Sequence, residues 1–258
     1  VVPVAFAGQS CDMAGIRQLA QQYGFKIIED ASHAVGASYL GRPVGCGDYA
    51  DITVFSFHPV KIITTGEGGL LTTQDAYLAE RLRRLRSHGI TRDPQLMDHG
   101  SEGLWYYQQL ELGYNYRLTD MQAALGLSQL ARLHEFVQRR RVLAARYTTL
   151  LTDLPLILPT AQAGADSAWH LYPVRLQTEC LLRSHQTIFA ALRGGGIGVN
   201  LHYIPVHLQP YYRRMGFAPG DFPHAEHYYA QAISLPLFPA LSDEQQNQVA
   251  LALATVLQ

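Results

Sequence analysis

The first thirty residues confine this chain to the α/β class. Residues 1–6 (VVPVAF) are an apolar run, and residues 13–23 place Ile16, Leu19, Ala20 and Tyr23 at helical spacing. Residues 25–29 (FKIIE) form a second apolar run that ends at Asp30. Asp12 stands where a helix N-cap belongs, and Gly24 where a left-handed residue ends one. Strand, helix and strand in that order predict a βαβ unit with parallel strands and a right-handed crossover. The chain opens inside a strand with no methionine, so a preceding portion is expected to be missing.

Strands follow at 51–55 and 69–73, and a helix at 75–86. Residues 88–113 are rich in Gly, Asp, Tyr and Gln and read as a long loop of functional or interfacial character. Thr119 and Gln122 make a capping box that opens one helical pattern to about Leu151, before Pro155 and Pro159. Beyond lie a strand at 170–176, a helix at 184–193, a turn at Gly194, Gly195 and Gly196, and a final helix over 243–257 capped by Ser242 and Gln245. The expected organisation is a partial large domain at 1–130 with a mostly parallel sheet, a long connecting helix at 131–155, and a smaller α/β domain at 156–258.

Charge excludes several classes of function. The formal net charge is -1, and the longest block of like charge is Arg139, Arg140 and Arg141 within a helical pattern, a solvated face rather than a nucleic-acid patch. No apolar run is long enough to cross a bilayer, and no targeting segment is evident. Cys11, Cys46 and Cys180 are odd in number and far apart, so neither a disulfide framework nor a metal site is expected. A cytoplasmic location fits best.

The chemistry-bearing residues gather at strand ends. Asp30 closes a strand in EDASHAVGA, at the edge where parallel sheets bind ligands, with His33 three residues on among small neighbours. In FSFHPVKIITTGEGGLLTT, Ser56 ends an apolar strand and Lys61 follows. The Thr64, Thr65, Gly66, Glu67, Gly68, Gly69 turn then offers hydroxyls and backbone N–H groups suited to a phosphate. A loop lysine ordinarily faces water, and an aspartate after a strand is ordinarily a cap. Together, however, a poorly solvated lysine and a strand-end carboxylate are what pyridoxal phosphate requires: an amine for its aldehyde and an anion for its pyridine nitrogen. A nucleotide site is disfavoured, because GxxxxGK[ST] is absent and AGQSCDMAG stands where GxGxxG would follow the first strand.

EDASHAVGA, FSFHPVKIITTGEGG and GYNYRLTDMQAALG, in that order, resemble the DegT/DnrJ/EryC1/StrS sugar aminotransferases, which have the fold-type-I, pyridoxal-phosphate-dependent architecture. The resemblance implies that Lys61 forms the Schiff base and shuttles a proton. Asp30 pairs with the pyridine nitrogen, His33 lies near the ring, and Ser56 binds the phosphate. Asn115 is implied to reach the partner's cofactor phosphate in a homodimer with shared active sites, and Arg117 to face a substrate carboxylate or phosphate. SAWHLYPVRL and VNLHYIPVHLQPYY are similar to the branch that aminates C4 of a UDP-linked 4-keto-6-deoxy-N-acetylhexosamine with glutamate as donor. That similarity places His202, Tyr203 and His207 along the sugar-nucleotide pocket; packing within the domain is the other reading of these three.

The family's upstream strands, its phosphate-binding helix and its ring-stacking aromatic are not found in residues 1–258. A second expectation therefore stands beside the enzyme: a truncated, non-catalytic remnant that dimerises or binds a nucleotide sugar.

Overall fold

The computed structural model describes residues 1–258. The chain divides into two units, one of Val1–Phe6 with Ser10–Leu133, the other of Ala7–Gln9 with His134–Gln258.

In the first unit, helix α1 (Met13–Tyr23) begins where Asp12 Oδ1 accepts the Gly15 N–H at 3.0 Å. It ends where Gly24, at φ 73°, donates its N–H to Ala20 O. Glycine adopts that φ without a Cβ clash. The helix buries Met13 and Ala20. Strand β1 (Ile28–Asp30) pairs in parallel with β2 (Ile52–Ser56), with Asp30 opposite Val54. Strand β3 (Gly69–Thr72) returns antiparallel to β2, so the sheet is mixed.

The apolar run at 1–6 pairs in parallel with β1 but supplies only one ladder residue, Val4 opposite Asp30. Pro3 has no N–H to donate, and the chain turns away at Phe6–Gly8. Backbone bonds from Ile28 N to Val1 O, from Asp30 N to Pro3 O and from Ala5 N to Asp30 O hold it to β1. Asp30 and Ser56 thereby lie at the carboxyl ends of neighbouring parallel strands.

Helix α2 (Ala76–Leu85) is capped by Asp75, which accepts from Tyr77 N and Leu78 N. The expected long loop contains a small antiparallel pair, β4 (Ile90–Thr91) and β5 (Gln108–Gln109). The single helix expected from Thr119 to Leu151 is two: α3 (Asp120–Leu130), with the foreseen capping box, and α4 (Leu133–Leu151). At the break the Arg132 N–H bonds back to Gln129 O, a tighter turn than the α-helix allows. No glycine or proline marks it, so the apolar period runs through unbroken.

The second unit packs α4, α5 (His185–Gly194) and α6 (Asp243–Leu257) around an antiparallel sheet. That sheet consists of β6 (Leu156–Ile157), β7 (Tyr172–Leu176) and β8 (Ala232–Leu235), with β7 in the centre. Leu143, Tyr147, Leu151, Leu176, Ile188 and Leu253 are fully buried in its core. Each such side chain contributes about 1.5–3 kcal/mol by leaving water. Beside them α4 buries a charge. The Arg140 Nη1 donates to Trp169 O, His170 O and Leu237 O at 2.9–3.1 Å, and burial pushes its pKa down to about 10. No helix in the chain is long and apolar enough to cross a membrane.

Candidate active site

The loop from Phe57 to Gly68 leaves β2 and returns to β3, and its own backbone closes it. Phe57 N donates to Gly68 O at 2.9 Å, Thr65 N to Phe57 O at 3.0 Å, and Lys61 N to His58 O at 2.9 Å. Ile62 and Ile63 are buried, anchoring the loop just after the lysine. Lys61 is half-buried. Desolvation lowers its pKa below the usual lysine range, and the Asp30 carboxylate opposes that shift. The two residues that the sequence pairs as amine and anion therefore feel one another electrostatically in the folded unit.

Asp30 itself is fixed by its Oδ1, which accepts the Ser32 N–H at 3.0 Å. His33 is buried and packs against the Phe6 ring, with centroids 5.9 Å apart. Ser56 Oγ accepts weakly from His58 N at 3.4 Å, which leaves its hydroxyl hydrogen to donate. The threonine turn departs from expectation. Thr64 Oγ1 donates to Phe57 O at 2.9 Å and Thr65 Oγ1 to Glu67 O at 2.7 Å, while Gly66 N donates to Thr64 Oγ1. These donors shape the turn and are spent on it, so they are not offered to a phosphate.

The GYNYR segment runs alongside the end of α2. Tyr114 N donates to Leu85 O and Tyr116 N to Arg86 O, and Asn115 bridges Ser87 antiparallel. The Tyr114 and Tyr116 rings stack at 4.7 Å. Arg117 lines an open cavity of about 360 Å³ together with Glu67, Gly68, Gly69, Tyr116 and Gln122. Arg117 is thus placed beside the turn that follows Lys61.

In the second unit, His202 Nδ1 lies 2.8 Å from Ser234 Oγ, and the Tyr203 ring is half-exposed. His207 is buried, donates through Nε2 to Glu226 at 2.7 Å and packs on the Phe222 ring. That geometry spends the imidazole on holding its own loop.

Two further residues escaped sequence reasoning. Gln122 was legible as a capping partner, yet its amide also reaches the Glu67 carbonyl. Glu111 carries no local signal, because its partners Arg81 and Arg84 lie 30 and 27 residues away.

An amine held partly out of water, an aspartate that stabilises positive charge beside it, and a strand-end hydroxyl form a donor set that fits an aldehyde cofactor with a basic ring nitrogen and an anionic tail. The sequence model of the DegT/DnrJ/EryC1/StrS aminotransferase family matches residues 1–254, and the chain belongs to that family. Its members are pyridoxal-phosphate-dependent and have the fold-type-I architecture. Over 252 residues the chain is 42% identical to the spore coat polysaccharide biosynthesis protein SpsC of Bacillus subtilis, covering 96% of this chain and 64% of SpsC. It superposes on Helicobacter pylori PseC, an aminotransferase involved in the biosynthesis of pseudoaminic acid, with a TM-score of 0.89 and 30% identity, covering 99% of this chain and 66% of PseC. Spr1654 of Streptococcus pneumoniae in its PLP form matches with a TM-score of 0.85 and 29% identity, covering 99% and 67%. The chain therefore spans about two thirds of the length of the relatives it matches.

Proposed function

We propose that this chain carries the lysine-bearing portion of a sugar aminotransferase that moves an amino group from glutamate to C4 of a UDP-linked 4-keto-6-deoxy-N-acetylhexosamine, as in the making of pseudaminic acid. The observation that carries this reading is the half-buried Lys61, its pKa lowered by desolvation, under the influence of Asp30 at the carboxyl edge of the sheet. Residues 1–130 are read as the remainder of the cofactor domain, 131–155 as the connection and 156–258 as the small domain. The enzyme is read as a cytoplasmic homodimer with shared sites.

Pyridoxal phosphate, when bound, supplies an electron sink for proton removal and return at the amine-bearing carbon. The chain's residues do the rest. Lys61, whose pKa desolvation lowers, would hold the cofactor through its amine and move the proton as general acid and base. Asp30 would keep the pyridine nitrogen protonated, and His33 would lie near the ring. Ser56 would donate its hydroxyl to the phosphate, and Asn115 would reach the phosphate held by the partner subunit. Arg117 faces an anionic group of the substrate. His202 and Tyr203 contact the sugar nucleotide, while His207 holds their loop through Glu226.

The sequence contains only two lysines, Lys26 and Lys61, which makes the test clean. The chain is mixed with pyridoxal phosphate, its visible spectrum recorded, and the mixture reduced with borohydride and mapped. A band near the visible edge with the pyridoxyl group on Lys61 supports the enzyme. A folded chain that ignores the cofactor, or carries the label on the exposed Lys26, favours the non-catalytic remnant.

A further inference from the structure

Outside the immediate surroundings of Lys61, the most heavily bonded carboxylate of the first unit is Glu111. Its Oε1 accepts from Arg84 Nε at 2.9 Å and Nη2 at 2.7 Å. Its Oε2 accepts from Arg81 Nε at 3.3 Å and Nη2 at 3.2 Å. Arg81 and Arg84 are three residues apart and share one face of α2, so a single carboxylate is forked twice onto that helix. The two guanidiniums hold the Glu111 carboxyl below its usual range. The Arg84 side chain is 12% exposed and that of Glu111 23%, so this junction is shielded more than an ordinary surface pair.

The backbone at the same place admits little slack. Gly89 has φ 70°, and a Cβ there would run into the Glu111 carbonyl. A Cβ on Gly113 would likewise run into the His88–Gly89 backbone. Leu110 N donates to Gly89 O at 2.9 Å, and Gln109 Nε2 to His88 O at 2.7 Å. From this junction the chain runs directly into Tyr114, Asn115, Tyr116 and Arg117. That segment is bonded to the end of α2 through Tyr114 N to Leu85 O, Tyr116 N to Arg86 O and the Asn115–Ser87 bridge, so any slip at the junction would carry Asn115 and Arg117 with it.

We propose that Glu111, gripped by Arg81 and Arg84, is a positioning residue that holds the 114–117 segment against the end of α2, fixing where Asn115 and Arg117 stand, and thereby tunes recognition of the cofactor phosphate. The inference rests on the reading of Asn115 as a phosphate contact. Both arginines act through Glu111.

The test compares pyridoxal phosphate with pyridoxal, which lacks the phosphate, in borohydride labelling of Lys61. It is run on the full chain and on Glu111→Gln. The half-saturating concentration of pyridoxal phosphate should rise about tenfold in the variant, the scale of one misplaced hydrogen bond to an ion, while that of pyridoxal stays the same. A parallel loss for both ligands, or no change in either, overturns the proposal. Amide exchange gives a readout without cofactor: Tyr114 and Tyr116 should exchange about tenfold faster in E111Q, with Ala79 inside α2 unchanged. Unaltered exchange at those two amides also overturns it. If the unaltered chain labels with neither ligand, the cofactor reading falls, and exchange still decides the anchoring. Should E111Q not fold, Arg81→Ala removes one arm of the fork and should shift both readouts in the same direction by less.

Discussion

Gln122 Nε2 donates to the Glu67 carbonyl at 3.0 Å while Gln122 Oε1 accepts from the Thr119 N–H and hydroxyl, each also at 3.0 Å. One side chain thus caps α3 and holds the turn that follows Lys61. Its two ends can be separated. In Gln122→Glu the capping oxygen remains but the donor to Glu67 is lost, so α3 should stay protected while the amides of residues 64–68 exchange faster. Gln122→Ala loses both and should cost about 1–2 kcal/mol in urea unfolding. Equal exchange in the turn for Q122E and the unaltered chain would mean that the Glu67 contact holds nothing.

Lys61 and Asp30 make a second, titratable relationship. Burial lowers the Lys61 pKa and Asp30 raises it, the first effect being larger. An amine reagent should therefore label Lys61 with a midpoint below the ordinary lysine range. In Asp30→Asn the opposing attraction is gone, so the Lys61 midpoint should fall further. An upward move would show that Asp30 acts on the lysine in some way other than through its charge.

Glu29 lies next to Asp30 on β1 but is buried, with Thr53 Oγ1 donating to its Oε2 at 3.1 Å. Desolvation raises its pKa against that single hydrogen bond. Such a carboxyl keeps its proton in the folded chain after the unfolded chain has released its own. Its contribution is therefore fully present below the ordinary glutamate range and is lost as pH rises from there to the raised value. Urea unfolding across that interval should show a decline that Glu29→Gln flattens. A decline of the same slope in E29Q would assign it to another group.

Arg140 satisfies three carbonyls of the second unit with one guanidinium nitrogen. Replacing it with methionine preserves much of the volume but leaves the three acceptors buried without that donor. Arg140→Met should destabilise the second unit by about 3–5 kcal/mol, in the range of a broken buried polar network. A change under about 1 kcal/mol in thermal or urea unfolding would mean that the carbonyls find other donors.

Much of the local architecture could be read along the chain, because it depends on neighbours in sequence. The Asp12 cap, the Gly24 stop, the Thr119–Gln122 and Ser242–Gln245 boxes and the final helix at Asp243–Leu257 all follow from side chains three or four residues from the groups they satisfy. The strand ends at Asp30 and Ser56 were legible from apolar runs, and Lys61 from its place between two of them. The division of α3 from α4 was not, since the apolar period crosses it without a breaker. Nor was the commitment of the Thr64 and Thr65 hydroxyls to their own turn, which depends on how Phe57 and Glu67 come round to meet them.

Tertiary structure alone decided the relationships between distant residues. Composition says nothing of which carboxylate among many meets two arginines, yet folding brings Glu111 to Arg81 and Arg84 across about thirty residues. It also buries His207 onto Glu226, a commitment that the spacing of histidines and aromatics leaves open. The sequence by itself determined which residues have the chemistry to act, for that is a property of side chains and their immediate neighbours. Which of them keep a hydrogen-bonding group or a charge to spare depends on what the folded backbone presses against each one, because burial and long-range partners set the cost of every polar contact.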